Sequence, residues 1–417
     1  MWSVGLLFTC VGVWQASTVV LVAGKDVSIA AGGSINANGL AGTGGIAAGA
    51  HSSGGSHGGA GGRLPCSIQP QKPCCSGAFF SVSVPGQTMI GDPVDPLSQW
   101  ADAYGSGGGP GGGAGGGRVY VSAANRLTVN GYVSADGQPT ESSVGGSGAG
   151  GTVVINASQV DGVGPISADG GQGSTTKALA AGGGGRVAVT CHQLSMQTSQ
   201  ITAMGGSTTP DSTANKCLEG GTGTVFISQT GANFTNGVSR TLQVGNNNLA
   251  PTYAMTPLNI SMEAGITTLQ VNNGAIAGIA NFFVRCAAAA AHCDLDVHRD
   301  VACVCVCVCV CVAVPLSQMP ASGSGITVNS GVISSLGSTV PMHIIAPVVD
   351  FQDGTMISGG SSVRIQCHTF TVSDTSSVSY QSDVTIFASR TQAHGRLHAP
   401  GVHDALCGWL WLLAQRA

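Results

Sequence analysis

The sequence predicts an all-β fold, a parallel β-solenoid in which glycine-rich loops join the strands. Three observations lead to this prediction: a motif repeated with a fixed period, strand-like patterns inside each repeat, and an unusual composition. Gly accounts for 66 of the 417 residues and charged residues for only 8%, whereas an ordinary globular domain carries about 25% charged residues. So little charge leaves few side chains that could cover solvated helices.

The motif occurs three times within residues 105–206 as a glycine run, an apolar strand, a polar bridge, a second strand and a small-residue turn. Its first strands start at Arg118, Thr152 and Arg186, 34 residues apart, and a fourth starts at Thr224, 38 residues later. A period in this range is typical of stacked repeats. The apolar runs are rich in β-branched residues, which favour strands, and each Gly inside a helix would cost about 1 kcal/mol relative to Ala.

A pair of strands this short cannot bury its own apolar face, so each repeat must stack on the previous one. Stacking at about 4.8 Å pairs every strand with its counterpart and buries a continuous apolar column. The motif alignment makes Ile35, Val133, Ile166 and Ile201 equivalent positions. We therefore expect these four side chains to form one interior column.

The repeats divide the chain into five parts. Residues 1–16 are apolar and lack a basic n-region, which leaves a signal peptide or a mis-started exon as alternatives. A Gly-rich solenoid is predicted for residues 17–285, and a solenoid-like continuation for residues 315–389, where Val or Ile alternates with Ser or Thr. Residues 390–417 are predicted to be an irregular tail. No transmembrane segment is predicted, because the apolar runs at both ends are too short.

Residues 286–314 interrupt every pattern with an Ala-rich run followed by alternating Val and Cys. Cysteines two residues apart on a strand lie about 6.6 Å apart, too far for a disulfide between neighbours. A soft-metal site is an alternative, but thiolate ligands normally come from turns that converge on the ion. Alternating Val and Cys is also what a GT-repeat DNA tract encodes, so we interpret this insert as a translated microsatellite or retained intron. Its alternating cysteines are Cys303, Cys305, Cys307, Cys309 and Cys311.

The order of the glycine motifs carries a resemblance to a known class of protein. SHGGAGG at Ser56–Gly62 is followed by the long Gly91–Val121 stretch, by Ala-Asp-Gly turns, and by AGGGGRVAV at Ala181–Val189. Together these motifs, within about Val19–Ile227, resemble the glycine-rich repeat region of large extracellular, adhesin-like surface proteins of bacteria and unicellular eukaryotes. The resemblance implies a parallel β-helix at the cell surface and no catalytic residue.

Two groups of residues suggest metal or disulfide chemistry. His51 and His57 lie in a Gly/Ser-rich stretch, but their spacing matches no common metal site, so we interpret them as solvated loop histidines. Cys66, Cys74 and Cys75 lie in a Pro-containing loop. Three cysteines leave one over, so no disulfide pairing is assigned. No metal or other cofactor is predicted.

Three Asn-x-Ser/Thr sequences are candidate glycan acceptors: Asn156, Asn233 and Asn259. Secretion would expose such sites to N-glycosylation and would mark them as surface positions. Three short matches in a chain of this length are within chance, and Asn156 directly follows a strand. Glycosylation is therefore a prediction conditional on secretion.

An enzymatic alternative is a polysaccharide lyase or hydrolase built on a β-helix. Such chemistry needs paired carboxylates or carboxylates grouped around calcium. The nearest candidates are Asp92, Asp95 and Asp102 in a Pro-rich stretch, and Asp350 with Asp353. An extended strand would direct Asp350 and Asp353 to opposite faces, which argues against a shared site.

Asp136 and Asp169 occupy equivalent positions in adjacent repeats, each directly before Gly. Their counterparts in the flanking repeats are Asn38 and Met204, so the column as a whole is not acidic. Asp bonded to its own backbone, followed by a Gly that accepts positive φ, is ordinary turn chemistry. We therefore interpret both as turn residues, and no catalytic residue is predicted.

The predicted function is a non-enzymatic structural or adhesive repeat protein, extracellular or on the cell surface. A low-charge surface rich in Ser, Thr and Asn suits glycans or self-association. A formal charge of -4 without a basic cluster argues against nucleic acid as a partner. Two alternatives stay open: a carbohydrate-active β-helix enzyme, and a partly mistranslated gene fragment without function.

Overall fold

The computed structural model describes most of the first 245 residues and a series of shorter segments after them. The described residues are 2–4, 7–41, 54–62, 104–108, 111–140, 145–174, 179–209, 218–231, 238–245, 256–258, 266–272, 275–279, 281–283, 325–335, 342–358, 362–373, 376–380, 383–393 and 396–398. The predicted insert 286–314 lies outside them, as do His51, Cys66, Cys74 and Cys75.

The fold is all-β, as predicted, and its largest sheet is mostly parallel. Helical structure among the described residues is confined to single 3-10 turns, such as Thr198–Gln200. In chain order the strands are β1 (Trp2–Val4), β2 (Leu7–Cys10), β3 (Val13–Gln15), β4 (Thr18–Ala23), β5 (Asp26–Ile29), β6 (Ser34–Asn36), β7 (Arg118–Val129), β8 (Tyr132–Ser134), β9 (Thr152–Gly162), β10 (Ile166–Ser167), β11 (Gly173–Ser174), β12 (Arg186–Leu194), β13 (Ile201–Thr202), β14 (Thr208–Thr209), β15 (Thr224–Thr230), β16 (Val238–Gly245), β17 (Thr256–Leu258), β18 (Thr268–Asn272), β19 (Ile276–Ile279), β20 (Asn281–Phe283), β21 (Gly325–Asn329), β22 (Val332–Ser335), β23 (Met342–Gln352), β24 (Thr355–Ser358), β25 (Ser362–Val372), β26 (Ser377–Tyr380), β27 (Asp383–Ala393) and β28 (Arg396–His398).

These strands form four sheets. The main sheet has 15 strands in the order β1-β4-β7-β9-β12-β15-β16-β18-β21-β23-β25-β27, with β2, β5 and β20 pairing alongside this path. A five-stranded sheet, β13-β10-β8-β6-β3, is called here the short-strand sheet. The other two sheets are β11-β14 and the six-stranded β17-β19-β22-β24-β26-β28.

The predicted repeat register is confirmed in the main sheet. Arg118 pairs with Thr152, Thr152 with Arg186, and Arg186 with Thr224, all between parallel strands. The short-strand sheet likewise pairs Ile35 with Val133, Val133 with Ile166, and Ile166 with Ile201.

All four residues of this predicted column, Ile35, Val133, Ile166 and Ile201, are at most 3% exposed. They belong to the apolar core that also contains the inward side chains of the main sheet. The core is thus enclosed between long strands on one side and short strands on the other.

The strand direction reverses once in the main sheet. β15 pairs antiparallel with β16, and Phe226 lies opposite Leu242. The pairings from β16 through β27 are again parallel. We call β1–β15 the first stack and β16–β28 the second stack. The second stack has a shorter repeat, since paired residues Val348, Thr369 and Arg390 are 21 positions apart.

The glycine runs lie between strands, as predicted, but they are buried. Residues 54–62, 105–108, 113–117, 145–151 and 181–185 are all buried. Their backbones bond to one another across long sequence distances: Gly55 N–H donates to Ser147 O at 2.9 Å, and Gly59 N–H to Gly184 O at 2.8 Å. We call this backbone network the glycine lattice.

At many positions of the glycine lattice only Gly fits, because the segments approach so closely. A Cβ on Gly59 would overlap the carbonyl oxygen of Thr222, and one on Gly150 would overlap that of Ala168. The buried N–H and C=O groups are satisfied by neighbouring segments rather than by water, as burial of backbone requires. These runs therefore connect strands and also act as a packing element.

Described residues near both ends of the chain lie in strands, and whether residues 1–16 are a signal peptide or a mis-started exon stays a prediction. The segment interpreted as a signal peptide or mis-started exon supplies β1, β2 and β3, which pair in parallel with β4, β5 and β6. Phe8 and Cys10 from this segment are buried in the same apolar core as the column of Ile35, Val133, Ile166 and Ile201. In the predicted irregular tail, residues 390–393 continue β27 and residues 396–398 form β28.

Candidate functional site

His57 lies inside the glycine lattice with no exposed surface, so its interpretation as a solvated loop histidine is wrong. Its Nε2 is 2.9 Å from Thr152 Oγ1, while Nδ1 has no hydrogen-bond partner among the described residues. Burial, reinforced by the nearby Arg186 guanidinium, lowers the pKa of His57 to about 3. The imidazole is therefore neutral at physiological pH.

His57 contacts a column of alternating Thr and Arg at the starts of the long strands. Arg186 donates from Nη1 to Thr224 Oγ1 at 3.1 Å, and Arg118 donates from Nε to Thr18 Oγ1 at 3.1 Å. Alternation gives each guanidinium a neutral hydroxyl neighbour and keeps the two cations apart. The sequence already contains this alternation of Arg and Thr, because the residue after each successive glycine-rich run is Arg, Thr, Arg and Thr in GGGR, GGT, GGGR and GTGT.

The column is more exposed toward the N-terminal strands. There Tyr104 covers it: the Tyr104 hydroxyl lies 2.6 Å from Thr18 Oγ1, and the Arg118 guanidinium lies 4.3 Å from the centroid of the Tyr104 ring. Such cation–π contacts are favourable by about 0.5–1 kcal/mol at exposed sites. The column thus stabilises the edge of the glycine lattice rather than forming an open site.

A second polar feature, the Asx ladder (Asn38, Asp136 and Asp169), runs along the turn after the short strands. Asn38 Oδ1 accepts the N–H of Asp136 at 2.6 Å. Asp136 Oδ1 accepts the N–H of Asp169 at 2.7 Å, and Asp169 Oδ1 accepts the N–H of Met204 at 2.6 Å. Each side chain therefore bonds the backbone of the next repeat, rather than its own backbone as the turn interpretation proposed.

The second carboxylate oxygens in the ladder also accept hydrogen bonds from the following repeat. Ser167 Oγ donates to Asp136 Oδ2 at 3.0 Å, and Thr202 Oγ1 donates to Asp169 Oδ2 at 3.0 Å. Burial raises the pKa of Asp136. Burial, and then the neighbouring Asp136 carboxylate, raise the pKa of Asp169 to about 7.

An open groove of about 560 Å³ lies on the outward face of β7, β9, β12 and β15. Its wall contains a register column of Ser122, Asn156 and Thr190, and His192 with Thr230 at one end. His192 Nδ1 is 3.5 Å from Thr230 Oγ1. We call this the outer groove; its remaining lining residues are Ala123, Ala124, Ala157, Ser158 and Cys191.

The outer groove contains one of the predicted glycan acceptors. Asn156 is exposed in β9 between Ser122 and Thr190. Asn233 and Asn259 lie outside the described residues, so glycosylation at all three sites stays a prediction. Sequence reasoning missed the groove because its members are 34 residues apart and individually unremarkable.

The structure brings together none of the described carboxylates named for lyase or hydrolase chemistry. Asp350 lies in β23 and accepts a hydrogen bond from Gln352 Nε2 at 2.5 Å. Asp353 follows the strand with φ 54°, a conformation that Asp tolerates, and its N–H donates to Ser373 Oγ at 3.3 Å. Asp92, Asp95 and Asp102 lie outside the described residues.

Three described cysteines, Cys10, Cys191 and Cys367, are buried free thiols. Burial raises the pKa of Cys191 to about 11 and that of Cys367 to about 12. A thiol with so high a pKa carries almost no thiolate at neutral pH and is a poor nucleophile. Cys191 and Cys367 therefore pack as small apolar groups.

Comparison with known proteins places the chain in no established group. No protein-family model matches it, and neither the curated proteins nor the solved structures provide a match. Across the described segments, no set of three or more His, Cys, Asp or Glu side chains is placed to hold a metal ion. No helix in the same segments is long and apolar enough to cross a membrane.

Proposed function

We propose that this protein is a non-enzymatic structural or adhesive repeat protein of the cell surface or extracellular space, built as a parallel β-solenoid. Its outer groove would bind neutral glycans. The observation that carries this proposal is the outer groove itself, an exposed array of uncharged hydrogen-bonding groups repeated on successive strands.

The solenoid part of the proposal is supported by the order in which each repeat visits the sheets. A long strand of the main sheet is followed by a short strand of the short-strand sheet, and both strands pair with their counterparts in the next repeat. Apolar side chains from both sheets meet in one core. Nearest-neighbour stacking of this kind is the principle of repeat proteins.

The chemistry of the outer groove suits a sugar more than a charged ligand. Ser122, Asn156 and Thr190 offer hydroxyl and amide groups that both donate and accept, and these match the hydroxyls of a glycan. Adjacent strands are about 4.8 Å apart, so the groups recur along the groove at a regular interval. Such an array favours an extended glycan chain lying across the strands.

The proposal is tested by measuring binding of the full chain to a panel of neutral glycans. The protein should be made in a host without N-glycosylation, so that Asn156 is unmodified. Combined Asn156→Ala and Thr190→Ala substitutions should weaken binding about tenfold, since each removes a hydrogen bond that contributes about 0.5–1.5 kcal/mol.

The matched control is Gln159→Ala, because Gln159 is exposed on the same strand β9 but does not line the outer groove. Binding by this variant should equal that of the unsubstituted protein. Absence of binding to every glycan, or equal weakening by Gln159→Ala, would contradict the proposal. Release of shortened glycan products would instead favour the carbohydrate-active enzyme.

A further inference from the structure

The Asx ladder lies at the junction between the short-strand sheet and the glycine lattice. The glycine after each Asp of the ladder donates its N–H to a backbone carbonyl of the next repeat. Gly137 N–H donates to Asp169 O at 2.8 Å, and Gly170 N–H donates to Met204 O at 2.8 Å. The preceding Ala carbonyls also accept from the lattice, as when Gly185 N–H donates to Ala168 O at 2.7 Å. A change in the ladder would therefore act on both elements.

We propose that Asp136 and Asp169 form a pH-responsive clamp between the short-strand sheet and the glycine lattice, closed while the pair holds one proton and loosened when both carboxylates are ionised. This inference goes beyond the proposed glycan binding. It rests on the stacked geometry of the two carboxylates and on the identity of their neighbours.

The described groups that face the two carboxylates are uncharged apart from the pair itself. Asp136 faces the Asn38 amide, the Ser167 hydroxyl and the Asp169 backbone. Asp169 faces the Thr202 hydroxyl and the Met204 backbone. Two carboxylates in equivalent turns of adjacent repeats repel each other when both are ionised, so the pair loses its two protons in separate steps.

The direction of the pH effect follows from the raised pKa values. An Asp with an ordinary pKa of 3.8 is ionised in the unfolded chain above pH 4, whereas the pKa of folded Asp169 is about 7. The folded state therefore holds a proton that the unfolded state lacks between these values. The corresponding stability is fully present below about pH 4 and is lost as the pH rises to about 7.

The chain itself shows that the ladder works without a charge. Asn38 occupies the equivalent position and accepts the Asp136 N–H through an amide oxygen. Asp136→Asn and Asp169→Asn should therefore keep the backbone acceptors and remove both charges. A double variant isolates ionisation from hydrogen bonding.

The test is amide hydrogen exchange of the full chain at pH 5 and pH 8, corrected for the intrinsic pH dependence of exchange. Peptides spanning residues 135–140 and 168–171 should open at least about tenfold more at pH 8, because each pH unit between 5 and the folded pKa of about 7 changes the opening equilibrium by up to about tenfold. The double variant should show no such difference. Asp161→Asn should retain it, because Asp161 lies in β9 and pairs with Arg126 instead of the ladder.

Three results would overturn the inference. The first is equal corrected exchange at both pH values in the unsubstituted protein, which needs no variant to fold. The second is an unchanged pH effect in the double variant or in Asp136→Asn alone, which should at least move the transition to lower pH. The third is an equal rise in exchange across β25, because that would indicate global unfolding and not a local clamp.

Discussion

At the scale of single residues, most of the first stack depends on glycine, because glycine has no Cβ. Gly59, Gly150 and Gly185 each lie so close to a neighbouring carbonyl that any Cβ would overlap it. A polar backbone packed in this way satisfies its hydrogen bonds without side chains. Close backbone approach, and not turn formation, is thus the physical reason for glycine at these positions.

Gly59→Ala should destabilise the protein by about 1–3 kcal/mol, the usual cost of overpacking. The added methyl would overlap the carbonyl oxygen of Thr222, which is held within the lattice backbone. Urea denaturation of both proteins measures the difference in unfolding free energy.

Gly12→Ala is the matched control, because Gly12 has nothing within 4 Å of an added Cβ. It should leave the unfolding free energy unchanged or slightly raised, since Ala restricts the unfolded chain. If both substitutions had the same effect, close packing would not explain the glycine at position 59.

The residues also show where sequence reasoning stops. The register of Ile35, Val133, Ile166 and Ile201 was predictable because apolar periodicity reports which face is buried. The burial of His57 was not, because a glycine run has the same sequence whether water or another glycine run surrounds it. The Asx ladder was missed because Asn38 and Asp136 differ in charge, so their equivalent positions did not indicate a shared role. In the structure the side-chain oxygen of each accepts a backbone N–H in the same way.

At the scale of elements, the main sheet shows that one strand is divided by a long insertion. β20 and β21 pair with the two halves of the same strand, β23: Phe283 lies beside Ile345 and Gly325 beside Val348. In β23 only residues 346 and 347 separate those halves, whereas residues 284–324 separate β20 from β21. The interpretation of residues 286–314 as a translated microsatellite or retained intron thereby leads to a testable prediction about the fold.

Deletion of residues 285–323 should leave Val284 and Ser324 as a two-residue link and join β20 to β21 in register. Closing a shorter loop costs less entropy, so the unfolding free energy should rise by about 2 kcal/mol. Urea denaturation under reducing conditions tests this expectation.

The control deletion removes residues 284–323 and leaves one linking residue. A one-residue change reverses the faces of a strand, so this deletion should destabilise the second stack. If the in-register deletion is the more damaging of the two, the insertion has a structural role that the pairing does not indicate.

At the scale of the whole molecule, two stacks with opposite strand directions share one sheet. The reversal between β15 and β16 was not predictable, because Val/Ile alternation is the same in parallel and antiparallel strands. At this junction Phe226 lies opposite Leu242 and is 4% exposed. Phe226 and Ala188 belong to the core of the second stack, although their strands belong to the first.

Phe226→Ala should therefore weaken the coupling between the stacks as well as lower stability by about 3–5 kcal/mol. In stacked repeats, cooperative unfolding depends on the interfaces between neighbours. We expect the denaturation transition of this variant to be broader than that of the unsubstituted protein or divided into two, with a lower apparent m-value. Leu127→Ala is the control, because Leu127 is fully buried within the first stack and its loss should lower the midpoint without dividing the transition. A single transition with an unchanged m-value for Phe226→Ala would mean that the stacks are coupled elsewhere.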